Sequence, residues 1–327
     1  MTTILVTGGN GFIGSALVRR LLTDGHRVRV LDNLWRGQKT RLSDLAADVE
    51  IIEGDIRDAD TVTTAVNGVE SVHHLASING TGYFYSDPDL VLDVGVRGML
   101  NVIDACLKAD VGELILASSS EVYQTPPRVP TTEDAPLSVP DILNPRYSYG
   151  GAKIISELLA VNFGRRNFDR VMIFRPHNVY GSDMGWEHVL PQFVLRMKKL
   201  AAGNAGDPVK FPIQGTGKET RAFVFVDDAV EGVMLMRERG EHLNVYHIGS
   251  EEEVTIADAA RLVGDFYGRR VEVVPGPAAA GGTPRRCPNI TKIKALGFAP
   301  TVALKDGIPR LARWYDAHAD WAPDGVT

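Results

Sequence analysis

The chain has 327 residues, 44% hydrophobic and 23% charged, with a net charge of −6 and a pI of about 5.8, which is globular composition for one or two domains without a polybasic nucleic-acid surface. Cys106 and Cys287 lie far apart without metal spacing, no apolar run reaches the ~18 residues of a membrane helix, and the N-terminus enters a strand without a basic leader. These features predict a cytoplasmic protein with reduced thiols, no bound metal, no membrane segment and no nucleic-acid partner.

Residues 3–7 (TILVT) read as a buried strand, and residues 12–23 as an amphipathic helix ending at Gly25. TGGNGFIG (7–14) joins them. Gly9, Gly11 and Gly14 spell G-x-G-x-x-G, while Gly8, Gly11 and Gly14 spell G-x-x-G-x-x-G. Either spacing gathers backbone N–H groups and the positive end of a helix at one point, which suits a pyrophosphate. The strand 27–32 (RVRVLD) ends on Asp32. A carboxylate there binds ribose hydroxyls and repels a 2′-phosphate, favouring NAD over NADP; nearby Arg36 is the opposing feature.

The strand 49–53 is closed by GDIRD, where Asp55 and Ile56 can frame an adenine edge. HLAS (74–77) ends the strand 71–76 with small residues where a cofactor can pass. Further strands at 113–118 and 171–175, with helices at 58–67, 89–109 and 149–166, complete an alternation that predicts a doubly wound parallel α/β sheet. After Arg175 the chain turns rich in Gly, Pro and aromatics through 220. A strand (222–226), a helix (228–238) and a strand (244–248) follow. Residues 251–327 hold two helices, a Gly/Pro-rich loop (275–284) and a terminal helix near 304–318. The expected division is a dinucleotide-binding domain of 1–175 plus 221–250. A smaller α/β substrate domain of 176–220 plus 251–327 lies over the sheet's carboxyl edge.

YSYGGAK places Tyr149 and Lys153 four residues apart, on one face of a helix. A lysine beside a phenol is expected to lower its pKa from ~10 toward neutrality. Such a tyrosine can take a proton from a sugar hydroxyl while hydride leaves the same carbon. ASSSEVY (117–123) ends the preceding strand, where its hydroxyls can reach a substrate.

With those blocks in order, the chain resembles the extended short-chain dehydrogenase/reductase family, in its nucleotide-sugar epimerase and dehydratase branch. TGGNGFIG, VLDN, GDIRD, HLAS, ASSSEVY, YSYGGAK, RPHNVYG, RAFVFVDDAVEG and PRRCPNITKIKALGFAP carry the resemblance almost end to end. It implies a Rossmann-type fold, an NAD recycled within each turnover, a nucleotide-diphosphate sugar substrate, and a homodimer pairing the helices at 89–109 and 149–166. By position, Ser119 matches the catalytic Ser/Thr, Tyr149 the base and Lys153 its partner, and Glu121 matches the family's glutamate. The cofactor set implied is Gly8, Gly11, Phe12, Ile13, Gly14, Asp32, Asn33, Asp55, Ile56, Leu75, Ala76, Ser77, Ser118, Tyr149, Lys153 and Pro176. The substrate set is Asn79, Thr81, Ser120, Asn178, His188, Val189, Gln214 on a nucleobase shelf (210–214), and the diphosphate clamps Arg221 and Arg286.

The sequence also departs from the family pattern. Gly95 stands where many members carry asparagine, Gln124 replaces a glycine, and Gly150 and Gly151 lie inside the catalytic helix. Asn79, Thr81 and Tyr83 are available to a sugar, and His177 either touches substrate or packs. Ser120 sits where thymidine-linked 4,6-dehydratases carry aspartate, so the acid/base set is incomplete for that reaction. The sequence therefore favours C4 epimerisation through a 4-keto intermediate. A 4,6-dehydratase and a uronate decarboxylase stay open, the latter needing a carboxylate partner such as Arg128 or Arg146. An NAD-binding regulatory scaffold would be expected to lose Tyr149 or Lys153, and both remain.

Overall fold

A computed structural model describes residues 1–203, 206–277 and 283–323 and contains a seven-stranded parallel sheet. Six strands come from the first half of the chain: β1 (Thr3–Thr7), β2 (Arg27–Asp32), β3 (Val49–Glu53), β4 (Ser71–His74), β5 (Glu113–Ala117) and β6 (Arg170–Pro176). The seventh, Asn244–Ile248, pairs with β6, and the order across the sheet is Asn244–Ile248, β6, β5, β4, β1, β2, β3. This is the doubly wound parallel sheet the alternating elements predict, and the Rossmann-type fold the resemblance implies.

Period-two alternation sorts β1 between two cores: Leu5 enters one, Ile4 and Val6 the other, all fully buried. Helices Ala59–Val66, Gly98–Lys108 and Ser148–Asn167 cover the first face; Phe12–Thr23 and Val226–Arg239 cover the second. Burying one such aliphatic side chain contributes about 1.5–3 kcal/mol. The chain leaves β3 at one edge and crosses to β4 on the far side of β1, so the carboxyl ends of β1 and β4 flank a switch-point crevice.

Two elements differ from expectation. The strand predicted at 222–226 is split: Thr220–Ala222 pairs with Glu253–Thr255 and Arg285–Arg286, and Val224–Phe225 with Val179–Tyr180. Phe223 and Phe225 turn into a third core around Tyr180, Phe211 and Tyr315 while Val224 enters the second, so the alternation is kept and only the pairing partner changes along the segment. The helix predicted at 89–109 is Pro88–Leu92 and Gly98–Lys108 with a π-helical turn, Asp93–Arg97, between them. The predicted loop 275–284 lies partly outside the described residues. No helix among the described residues is long and apolar enough to cross a membrane.

Candidate active site

The glycine turn shapes one wall of the crevice. Gly8 has φ +72°, and a Cβ there would lie 2.8 Å from the Ala76 backbone nitrogen. A Cβ on Gly14 would overlap the Gly8 carbonyl oxygen. Gly9 instead packs on Val30, 2.6 Å from where its Cβ would stand, so that glycine serves packing rather than the turn. Asp32 ends β2 and accepts from the backbone N–H of Asn10 (2.9 Å) and of Leu34 (2.8 Å). Burial raises the Asp32 carboxyl, and those two donors oppose the rise. A cavity of about 110 Å³ opens here, lined by Asp32, Asn33, Asp55, Ile56 and Ala76. The Arg57 side chain holds Asp55 down at about 2 against its burial, and Asn33 Nδ2 donates to Asp55 Oδ2 at 3.1 Å.

A larger cavity of about 380 Å³ adjoins the first; Gly8, Gly11, Leu75, Ser77 and Arg36 line both. Phe12, Ile13 and Gly14 face it from the glycine turn, with Asn79, Thr81, Ser118, Ser119, Ser120, Glu121, Tyr149, Lys153 and Pro176. Asn178, His188, Val189 and Arg286 close its far side. Ser119 caps the turn Ser120–Tyr123, its Oγ accepting from the Glu121 N–H at 3.1 Å. Burial pushes the Tyr149 phenol up to about 12, with the Ser119 and Ser77 hydroxyls pulling the other way. Burial brings Lys153 down to about 8, with Glu157 opposing. The expected lowering of Tyr149 by Lys153 is thus not found. Lys153 Nζ donates to the Ala117 carbonyl at 2.7 Å and stands 5.8 Å from the centre of the Tyr149 ring, so desolvation governs both groups.

Guanidinium groups gather around one carboxylate. Arg286 donates to Glu121 at 2.6 Å. Burial works to raise the Glu121 carboxyl, but Arg286, with Arg146 and Arg221, outweighs it and holds the group below its usual range. Arg221 does not line either cavity; burial and the Arg286 charge bring it down to about 10. Arg146 Nε is buried without a hydrogen-bond partner, whereas Arg128 is exposed. Gln214 is exposed and lines neither cavity. The expected nucleobase shelf is half inward, because Phe211 and Ile213 turn into the third core.

Known proteins resolve the kinship. The model of the NAD dependent epimerase/dehydratase family matches residues 4–249. The chain belongs to that family. A UDP-N-acetyl-alpha-D-glucosaminuronate decarboxylase of Bacillus cytotoxicus is 30% identical over 95% of this chain and 97% of its own. The solved dTDP-glucose 4,6-dehydratase of Streptomyces venezuelae, with NAD bound, superposes with a TM-score of 0.86 at 29% identity, covering 99% of this chain and 100% of that one. A UDP-glucose 4-epimerase of Thermotoga maritima, solved with UDP-glucose, reaches 0.85 at 27% identity over 97% and 99%. The chain is therefore an enzyme of the nucleotide-sugar epimerase, dehydratase and decarboxylase group.

NAD is the cofactor of this family, and the residues present fit it. A Cβ at Gly8 or Gly14 would fill the turn, and the small cavity offers Asp32 and Asn33 beside it. Among the described residues no three His, Cys, Asp or Glu side chains are placed to hold a metal ion.

Several site residues escape a reading of the sequence. Phe84 lies flat on Tyr149, ring centres 5.0 Å apart and planes 10° from parallel. Glu157, one more turn along the helix from Lys153, accepts from Ser118 Oγ and pairs with Arg175 at 2.6 and 2.8 Å. Arg175 also meets Tyr123, whose hydroxyl lies 2.7 Å from His247 Nε2. His177 is fully buried, 4.6 Å from His247, and lines neither cavity, which removes it from the sugar contacts. Tyr83 meets Trp35 edge to face and carries the Arg36 guanidinium over its ring instead of facing the large cavity. Gly150 allows the helix to close on Gln124 Nε2, 2.6 Å from its would-be Cβ. Nothing in the structure requires glycine at Gly151.

Proposed function

We propose that the chain decarboxylates a nucleoside-diphosphate uronic acid, in the cytoplasm and as a homodimer, by way of a 4-keto sugar. The carrying observation is Glu121: a carboxylate lining the large cavity, close enough to Tyr149 to influence its proton, held ionised by Arg286 with Arg146 and Arg221 around it. C4 epimerisation, which the sequence alone favours, has no step for that carboxylate. Dehydration has one, but Ser120 leaves it without the second acid. Loss of CO₂ asks for less: a ketone at C4, a cationic pocket for the C6 carboxylate, and a proton for C5.

Bound NAD supplies the oxidation of C4 and its later reversal. Tyr149, once ionised, receives the C4 hydroxyl proton, an ionisation that the cationic ring of a bound NAD would favour against burial; Ser119 hydrogen-bonds that oxygen, and Lys153 would hold the nearby ribose. Arg286 faces the diphosphate, for which a guanidinium group is suited, and Arg221, which lines neither cavity, adds its charge nearby. Arg146 lines neither cavity but carries its charge close to Glu121, and is the cation this reading assigns to the carboxylate. The C5–C6 bond breaks, its electron pair passes into C5 and the C4 oxygen, and CO₂ leaves. The substrate carboxylate beside Glu121 raises its proton affinity, so Glu121 takes up a proton from solvent and passes it to C5. Asn178, His188 and Val189 from the first of the two expected substrate segments and Arg286 from the second supply the substrate side of this site. C4 epimerisation is the second reading, favoured by the 2.6 Å Arg286–Glu121 contact: a carboxylate that keeps this partner in the complex donates nothing.

The test is incubation with nucleotide uronates and neutral nucleotide sugars in D₂O, with a Tyr149→Phe control expected to lose about 10²–10⁴-fold of turnover. The expected result is CO₂ from a uronate and one solvent deuterium at C5 of the pentose. Inverted C4 without CO₂ or deuterium selects epimerisation. Full turnover by Tyr149→Phe removes the mechanism altogether.

A further inference from the structure

Two arginines from the segment between β2 and β3 reach across the crevice. The Arg36 guanidinium donates to Glu187 and stands 5.3 Å from the Tyr83 ring centre. Arg41 makes a two-point pair with Asp183, Nε–Oδ2 2.8 Å and Nη2–Oδ1 2.9 Å, and also donates to the Asp183 carbonyl at 2.8 Å. Its remaining nitrogen donates to the carbonyl of Asn10, in the glycine turn, at 3.0 Å. Asp183 and Glu187 belong to the loop that enters helix Val189–Ala202 on the opposite side of the crevice. The backbone makes room for these contacts. A Cβ on Gly80 would lie 3.1 Å from the Arg36 guanidinium, and one on Gly185 2.8 Å from it.

We propose that the Arg36–Glu187 and Arg41–Asp183 pairs form a clasp that retains the bound dinucleotide and sets its rate of release. Arg36 lines both cavities, and Arg41 lines the larger. A dinucleotide filling both cavities runs past Arg36. Its departure requires the segment carrying the two arginines to part from the loop carrying the two carboxylates. The pairs are unequal. Arg41 is 8% exposed and doubly bonded to its carboxylate, so breaking that contact leaves a desolvated charge. The Arg36 and Glu187 side chains are 27% and 36% exposed, within reach of water and salt. Arg41 is the fixed end of the clasp and Arg36 the end that opens. The same pairing commits the Arg36 guanidinium to Glu187, so Arg36 is not free for a 2′-phosphate. This inference rests on the cofactor and the fold, and holds whichever sugar reaction the enzyme performs.

The test follows exchange of bound NAD for excess fluorescent etheno-NAD in the full chain, comparing wild type, Glu187→Gln, Arg36→Ala and the charge-swapped Arg36→Glu/Glu187→Arg pair. Both single variants are expected to keep the wild-type melting temperature and release NAD about fivefold faster, the effect of losing one partly exposed ion pair. The swap is expected to recover most of the slow rate. High salt is expected to speed release from wild type and leave Glu187→Gln unchanged. Equal release from wild type and both single variants overturns the proposal, as does a swap no slower than the singles.

Discussion

Lys153 donates to the Ala117 carbonyl at 2.7 Å, and burial brings its ammonium from an ordinary 10.5 down to about 8, with Glu157 opposing. Between about pH 8 and 10.5 the unfolded chain therefore holds a proton that the folded chain has released. Stability rises with pH where the unfolded state binds more protons, so this lysine makes the nucleotide-free protein more stable on going from pH 8 toward 10. Burial gives Tyr149 the opposite slope higher up: the unfolded phenol ionises near 10.0, the folded one near 12, and stability falls between them. Lys153→Met cannot titrate. Its urea midpoint is expected to rise less than that of wild type between pH 8 and pH 10, and parallel profiles would contradict a buried, depressed lysine.

The catalytic helix Ser148–Asn167 owes its position to a neighbour that looks unremarkable in sequence. Gly95, in the π-helical turn, faces Ala152: a Cβ there would stand 2.7 Å from the Ala152 Cβ, and the Gly95 carbonyl accepts from Ser156 Oγ at 3.1 Å. Ala152 immediately precedes Lys153, so the closeness of this packing fixes the lysine's depth. Gly95→Ala is expected to cost about 1–3 kcal/mol by overpacking. The double variant with Ala152→Gly is expected to recover most of it, with denaturation midpoints as the check. The sequence shows Gly95 only as a missing asparagine, a lost contact near the cofactor; the close approach becomes visible once two helices distant in the chain are set side by side. The same division runs through the site. Tyr149 and Lys153 are legible because one helix carries both at a fixed spacing, and the glycine turn because strand, turn and helix are contiguous. Glu157 stands at the next such spacing and could have been found. Its partner Arg175 on β6, the Phe84 stack and the Arg36–Glu187 pair depend on contacts between distant segments, which no local pattern encodes.

At the scale of the whole molecule, alternating strands and helices were enough to predict the sheet, since parallel strands need helical crossovers and buried apolar runs. The outer surface of the helices is less fully determined by the fold of one chain. Helices Gly98–Lys108 and Ser148–Asn167 cover one face of the sheet side by side, and their outer sides carry apolar residues with no cover from the chain itself. Leu158 is 57% exposed and Ile155 39%, three residues apart on one helical face, with Leu92 and Leu100 exposed on the neighbouring run. Scattered exposed apolar side chains are ordinary, but these four on adjoining helices form the kind of patch that a second copy covers about a twofold axis, each helix pair meeting its own image. Self-association would place the dimer contact on the same helix that carries Tyr149 and Lys153, coupling assembly to the depth of the catalytic groups. Light scattering of the purified chain at micromolar concentration is expected to report a dimer. Leu158→Glu sets a charge against its symmetry mate and is expected to shift the population to monomer with little change in the monomer's secondary structure. A monomeric wild type, or a Leu158→Glu variant that remains a dimer of unchanged affinity, would place the contact elsewhere.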